Sequence, residues 1–207
     1  MSAPLIKIKI CGITSPQDAR LAVALGADFV GLIFAESPRR IDVARAAEIR
    51  AAVPGAVLVG VFRDPAIDDV IAAVRGASID LVQLHGAESP AFSDEVLART
   101  GKPIIKVFNS NRVPRVEQLA AYTKTSYFLF DTSKDATVSD DTRLEQVARI
   151  RGMGFRVFLA GGLTPDNVRA SVRATRPFAV DVCRGVEKRP GVKDALALER
   201  FIAEVRG

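Results

Sequence analysis

The feature that most limits what this chain can fold into is a repeat of pattern rather than of residues. Short runs rich in β-branched and aromatic residues recur roughly every 26 residues, each followed by a stretch with apolar residues at helical spacing. The runs cover residues 5–10, 28–34, 56–62, 80–85, 103–108, 126–131, 155–160 and 178–182. The helical stretches cover 16–25, 43–53, 66–75, 91–99, 115–122, 143–151, 165–174 and 192–205. Ser15-Pro16 and Thr164-Pro165 each set a capping residue before a proline at the first helical position. Eight strand–helix units in 207 residues, with no linker or low-complexity stretch, predict an α/β fold, a (β/α)8 TIM barrel forming one domain over residues 1–207. A doubly wound open sheet is the alternative, because the pattern alone does not show whether the sheet closes.

Composition narrows the partners. With 48% apolar and 26% charged residues the chain is globular rather than disordered. No apolar run approaches the ~18 residues of a spanning helix, and residues 1–4 do not start a secretory signal, so no membrane is expected. Two cysteines, Cys11 and Cys183, are too few for a disulfide framework, and a cytoplasmic setting is expected. The 29 basic residues exceed the 24 acidic ones, which favours an anionic partner. Aromatic residues make up only 6%, with no Trp, and no block of like charge occurs. Stacking platforms for nucleic acid are therefore not expected, and a small phosphorylated molecule is the better candidate. A monomer or a homodimer is compatible with this reading.

In a barrel of this type chemistry sits on the loops that follow the strands. Those positions hold Cys11, residues 37–40, Arg63-Asp64, Gln83 and His85, Asn109, Asp131, Gly161-Gly162, and Asp181 with Cys183-Arg184-Gly185. The opposite ends read Pro4, Ala27, Gly55, Lys102 and Gly154, which are plain connections. On the first strand Leu5, Lys7, Lys9 and Cys11 share one face, and Ile6, Ile8 and Ile10 the other. The isoleucine face packs on helices, so Lys9 and Cys11 point into the barrel. An ammonium there needs a carboxylate partner, and beside a thiol it lowers the thiol pKa. Asp131 ends the apolar run Tyr127-Phe128-Leu129-Phe130, with Lys9 expected to act on it as well.

The run Lys9-Ile10-Cys11-Gly12-Ile13-Thr14 resembles the first-strand signature of the phosphoribosylanthranilate isomerase family of tryptophan biosynthesis. Further matches follow in order. They include Gly26-Ala27-Asp28, Ser37-Pro38-Arg39, Val82-Gln83-Leu84-His85-Gly86, Asp131-Thr132, Ala160-Gly161-Gly162-Leu163 and Gly185-Val186-Glu187. The resemblance implies a (β/α)8 barrel that rearranges N-(5'-phosphoribosyl)anthranilate to the deoxyribulose phosphate without cofactor or metal. It implies Cys11 as general base, Asp131 as general acid and Arg39 as the contact to the anthranilate carboxylate. Gln83, His85 and Asp181 are expected to line the substrate, His85 by hydrogen bonding in the barrel mouth rather than as a base. Gly161, Gly162 and Gly185 are expected to hold phosphate through backbone N–H groups, beside a short helix within residues 185–189, with Arg184 adding a cation.

Two segments depart from the family pattern. Residues 133–141 read Ser-Lys-Asp-Ala-Thr-Val-Ser-Asp-Asp, where the family carries a glycine-rich run, and this loop is expected to stay solvated with its carboxylates outward. Cys183-Arg184-Gly185 stands where Ser-Ser-Gly is usual. A related barrel isomerase, or a non-catalytic binder, of another phosphoribosyl ligand is the alternative.

Overall fold

The computed structural model describes residues 5–109, 114–131 and 140–207. Among these, strands and helices alternate: β1 (Lys7–Ile10), α1 (Pro16–Ala24), β2 (Phe29–Ile33), α2 (Val43–Ala52), β3 (Val57–Phe62), α3 (Ile67–Gly76), β4 (Leu81–Leu84), α4 (Pro90–Thr100), β5 (Ile104–Asn109), α5 (Val116–Ala120), β6 (Tyr127–Asp131), α6 (Asp140–Gly152), β7 (Val157–Leu159), α7 (Val168–Thr175) and β8 (Ala179–Val182). A 3-10 turn at Arg184–Val186, a hairpin of β9 (Glu187–Arg189) and β10 (Val192–Lys193), and α8 (Ala195–Arg206) complete the chain. The first eight strands pair in parallel in chain order, and β8 pairs back onto β1. The sheet is closed, which removes the open-sheet alternative.

Side-chain chemistry explains the starts of several helices. Ser15 accepts the Asp18 N–H at the head of α1, Ser89 that of Phe92 at α4, and Asp194 that of Ala197 at α8. Thr164-Pro165 does not behave as its sequence suggests, because α7 begins only at Val168. The Thr164 N–H donates to Asn167 Oδ1, and Asn167 Nδ2 donates to the Gly162 carbonyl, so residues 164–167 form a turn of their own. The last helix is also shorter than its pattern. Val192 and Lys193 are drawn into the hairpin, where Lys193 Nζ reaches Glu187 Oε1, and α8 starts after Asp194. α6 differs in the other direction, opening at Asp140.

The period of two along each strand builds the interior from the bottom upward. On β1, Ile8 and Ile10 pack outward among the helices while Lys9 points in; on β6, Phe128 and Phe130 pack outward while Leu129 points in. The floor of the barrel is aromatic: Phe29, Tyr127, Phe158 and Phe178 meet with ring centroids 5.1–5.6 Å apart. Polar residues enter only above that floor. Among the described residues no helix is long and apolar enough to cross a membrane.

Phe158 is fully buried and touches the other three rings of the floor or their neighbours. Phe158→Ala is expected to lower unfolding stability by about 3–5 kcal/mol, since the closed barrel gives the cavity nothing to collapse into. Urea unfolding followed by far-UV dichroism measures this, and a loss below about 1 kcal/mol would show that the floor repacks.

Candidate active site

One step above the aromatic floor the inward positions become polar. Lys9 on β1 and Asp181 on β8 are direct register partners across the seam that closes the barrel. Lys9 Nζ donates to both carboxylate oxygens of Asp181 at 3.0 Å, with the lysine side chain fully buried. The room for this comes from Gly31 on β2. A Cβ there would lie 2.8 Å from Cys11 Sγ and 3.1 Å from Lys9 Nζ, so any side chain would displace both groups. The carboxylate partner that an inward Lys9 requires is thus Asp181.

At the strand ends the same faces carry Cys11, His85, Asp131 and Cys183 around a cavity of about 340 Å³. All ten residues singled out from sequence line it: Cys11, Arg39, Gln83, His85, Asp131, Gly161, Gly162, Asp181, Arg184 and Gly185. His85 Nε2 lies 3.4 Å from Asp131 Oδ2, and its Nδ1 lies 3.5 Å from Gln83 Nε2. Gln83 itself is buried, and its Oε1 has no hydrogen-bond partner among the described residues.

Charge in the cavity is divided unevenly. Cys11 is held well below the ordinary thiol range: a hydrogen bond from Cys183 leads, burial opposes it, and Lys9 and then Lys193 add to the lowering. Cys183 is pushed up by that same contact and by its burial, so of the two thiols Cys11 gives up its proton the more readily. Burial works against the Lys9 ammonium, but Asp181 and Cys11 outweigh it and raise its pKa. Burial pushes Asp181 up to about 7 despite Lys9, because Cys11 and Asp131 add negative charge nearby. Two anions share one ammonium, and Asp181 bears the cost.

Arg39 reaches the cavity from the loop after β2, where its Nε and Nη2 hold Glu187 at 2.6–3.1 Å. Glu187 also takes the buried Lys193 at 3.0 Å. Burial opposes the Glu187 carboxylate, but the two cations outweigh it and keep it below the usual carboxylate range. Opposite stand the glycines. Gly161 and Gly162 have φ of 85° and 67°, left-handed backbone that turns the loop after β7 back over the cavity. Gly185 presses on that loop so closely that a Cβ would sit 2.0 Å from the Leu163 carbonyl oxygen. The short helix expected within residues 185–189 is a 3-10 turn at Arg184–Val186, followed directly by β9. Of the divergent segment 133–141, residues 133–139 lie outside the described residues, and 140–141 open α6.

Sequence reasoning missed the supports. Glu187 and Lys193 lie in the stretch after β8, where no periodicity marks a side chain as buried. Lys106 on β5 is buried and pairs with Glu88, which also receives the N–H groups of Asp64 and Gly86 and so braces the loop below His85. Lys106 shares a strand face with the apolar Ile104 and Phe108, and alternation alone does not show that its ammonium is buried against a carboxylate of the loop after β4. Among the described residues no group of three or more His, Cys, Asp or Glu side chains is arranged to hold a metal ion.

Lys9 should add to the ionisation of Cys11. In an Asp181→Asn background, which leaves no lone buried carboxylate, adding Lys9→Met is expected to move the midpoint of Cys11 alkylation by iodoacetamide to higher pH. Removing the cation disfavours the thiolate, hence the upward sign. An unchanged midpoint would show that Lys9 does not act on the thiol.

Comparison with known proteins bears on what such a cavity does. The family model for N-(5'phosphoribosyl)anthranilate (PRA) isomerase matches residues 8–204. A protein of Halorhodospira halophila named N-(5'-phosphoribosyl)anthranilate isomerase is 42% identical, with 96% of each chain covered. Among solved structures, phosphoribosyl anthranilate isomerase from Thermotoga maritima superposes with a TM-score of 0.89 at 31% identity, covering 98% of this chain and 100% of that one. A phosphoribosyl anthranilate isomerase in complex with reduced 1-(o-carboxyphenylamino)-1-deoxyribulose 5-phosphate superposes with a TM-score of 0.85 at 32% identity, with the same coverage.

Proposed function

The chain belongs to the N-(5'-phosphoribosyl)anthranilate isomerase family, and from that premise we propose that it isomerises N-(5'-phosphoribosyl)anthranilate with Cys11 as general base and Asp131 as general acid. The observation that carries the assignment is that a thiol held below its ordinary pKa and a strand-end carboxylate line one cavity, with a glycine cradle beside them. Asp131 protonates the ring oxygen and the furanose opens to a Schiff base. The Cys11 thiolate then removes the C2' proton, and the enol that forms relaxes to the ketose. Both groups sit on strand ends, which the closed barrel fixes.

The substrate carries negative charge at both ends, and the cavity offers matching contacts. The N–H groups of Gly161, Gly162 and Gly185 are suited to the phosphate, with Arg184 as a nearby cation. Arg39 is suited to the anthranilate carboxylate. Since Glu187 occupies its Nε and Nη2, the carboxylate is met by Nη1. Gln83 Nε2 stands beside His85 Nδ1, and His85 holds Asp131 in place from the side.

Loss of anthranilate fluorescence on turnover tests the assignment directly. Cys11→Ala and Asp131→Asn are each expected to lower kcat by at least ~10²-fold while the far-UV dichroism stays native, as for removal of a general base or acid. Near-normal turnover in either variant removes that residue from the mechanism, and failure of the wild-type chain to complement an auxotroph lacking the isomerase removes the reaction.

The cradle is tested separately. Gly185→Ala sets a methyl group against the Leu163 carbonyl and forces the two glycine loops apart. KM is expected to rise at least ~10-fold with a smaller change in kcat, because phosphate binding lies away from the proton transfers. A fall in kcat at constant KM would count against a phosphate role.

A further inference from the structure

One nucleophilic side chain in the cavity has no part in the proton transfers described above. Cys183 follows β8 as Cys11 follows β1, and the register of that seam runs straight up to them: Lys9 opposite Asp181, then Ile10 opposite Val182. The Cys11 N–H donates to the Val182 carbonyl at 2.8 Å, so the pairing continues past the strand ends. Both cysteines continue the inward faces of their strands, and both line the cavity. Neighbouring strands lie about 4.8 Å apart, within the ~4.4–6.8 Å between Cα atoms that a disulfide spans. These are the only two cysteines in the chain, and both are free thiols.

We propose that Cys11 and Cys183 form a reversible disulfide across the β1–β8 seam when the protein meets a peroxide, making the cavity an oxidant-responsive site. The chemistry is already divided between the two sulfurs. Cys11, beside Lys9, is the more readily ionised thiol, and Cys183 keeps its proton more firmly, with its sulfur 3.8 Å from Glu187 Oε1. The Cys11 thiolate attacks one oxygen of hydrogen peroxide; the O–O bond breaks, hydroxide leaves and takes a proton from solvent, and Cys11 becomes a sulfenic acid. Cys183 sulfur then attacks the sulfenic sulfur, the S–S bond forms, the S–O bond breaks, and water leaves with the Cys183 proton. Two electrons pass from the sulfurs to the peroxide, which ends as two waters. Cys11 is exposed only at the cavity, and the oxidant reaches it there. The loss of turnover that follows rests on Cys11 being the base; formation of the bond does not.

The test uses the reduced wild-type protein and Cys183→Ser, each treated with hydrogen peroxide, quenched with catalase, and compared with its own untreated activity. In the wild type both thiols are expected to disappear together, with the intact monomer lighter by the mass of two hydrogens. Activity is expected to fall at least ~10-fold and to return with dithiothreitol. In Cys183→Ser no such mass loss is expected; Cys11 should be trapped by dimedone as the sulfenic acid, and higher peroxide should inactivate it irreversibly. Wild-type protein that keeps both thiols, or that passes to sulfinic acid without losing the two hydrogens, overturns the proposal. A disulfide that forms while turnover stays intact supports the pairing and overturns Cys11 as the base, so the two readings fail separately.

Discussion

The ion pair between Lys9 and Asp181 sits on the seam where the last strand meets the first, and the rest of the site is arranged around it. Closing the barrel makes these two residues register partners, and the aromatic floor beneath them excludes water. A charge pair buried this deeply is weak evidence for stability, because desolvation takes back most of what attraction supplies. What it provides is a fixed cation next to a thiol. Because Asp181 accepts both of its hydrogen bonds from one ammonium, Lys9 cannot swing away, and Cys11 meets a positive charge at a constant position. Gly31 is the price on the neighbouring strand, since any larger residue would fill the space the two groups need.

A second buried network ties the mouth of the barrel to the end of the chain. Arg39 after β2, Glu187 on β9 and Lys193 on β10 form one cluster, and the Gly191 carbonyl accepts from Thr14. The loops after β1, β2 and β8 therefore hold one another, and the hairpin that interrupts the approach to α8 acts as their clamp. Gly185 plays the matching part between the loops after β7 and β8, where its missing side chain lets the backbones touch. A site built from side chains on several strands needs such cross-links, because each loop alone has too few apolar contacts to hold its shape.

Much of this was readable along the chain, for identifiable reasons. The alternation Leu5, Lys7, Lys9, Cys11 against Ile6, Ile8, Ile10 is unambiguous, so the inward thiol and ammonium and the need for a carboxylate followed directly. Which carboxylate answered did not follow. Asp131 and Asp181 end similar strands, and only the closure of β8 onto β1 decides for Asp181. Thr164-Pro165 carries a strong helix-start signal that a local side-chain turn through Asn167 overrides. The Lys106–Glu88 pair was invisible because local alternation does not tell a buried lysine on β5 from an exposed one, and Glu187 and Lys193 because strands of three and two residues are too short to show a period.

By itself the sequence determined the number and order of the strand–helix units, the face the first strand turns inward, and the set of polar residues gathered at one end. Those are consequences of local spacing: a period of two in strands, a period near 3.6 in helices, and caps and prolines at their boundaries. Tertiary structure alone decided the partners. Closure set Lys9 against Asp181 and Cys11 beside Cys183, although 172 positions separate each pair in the chain. It also set Arg39 against Glu187 and brought Gly185 onto the Leu163 carbonyl. Pairing across a closed sheet depends on registry summed around all eight strands, and no local stretch of sequence contains that sum.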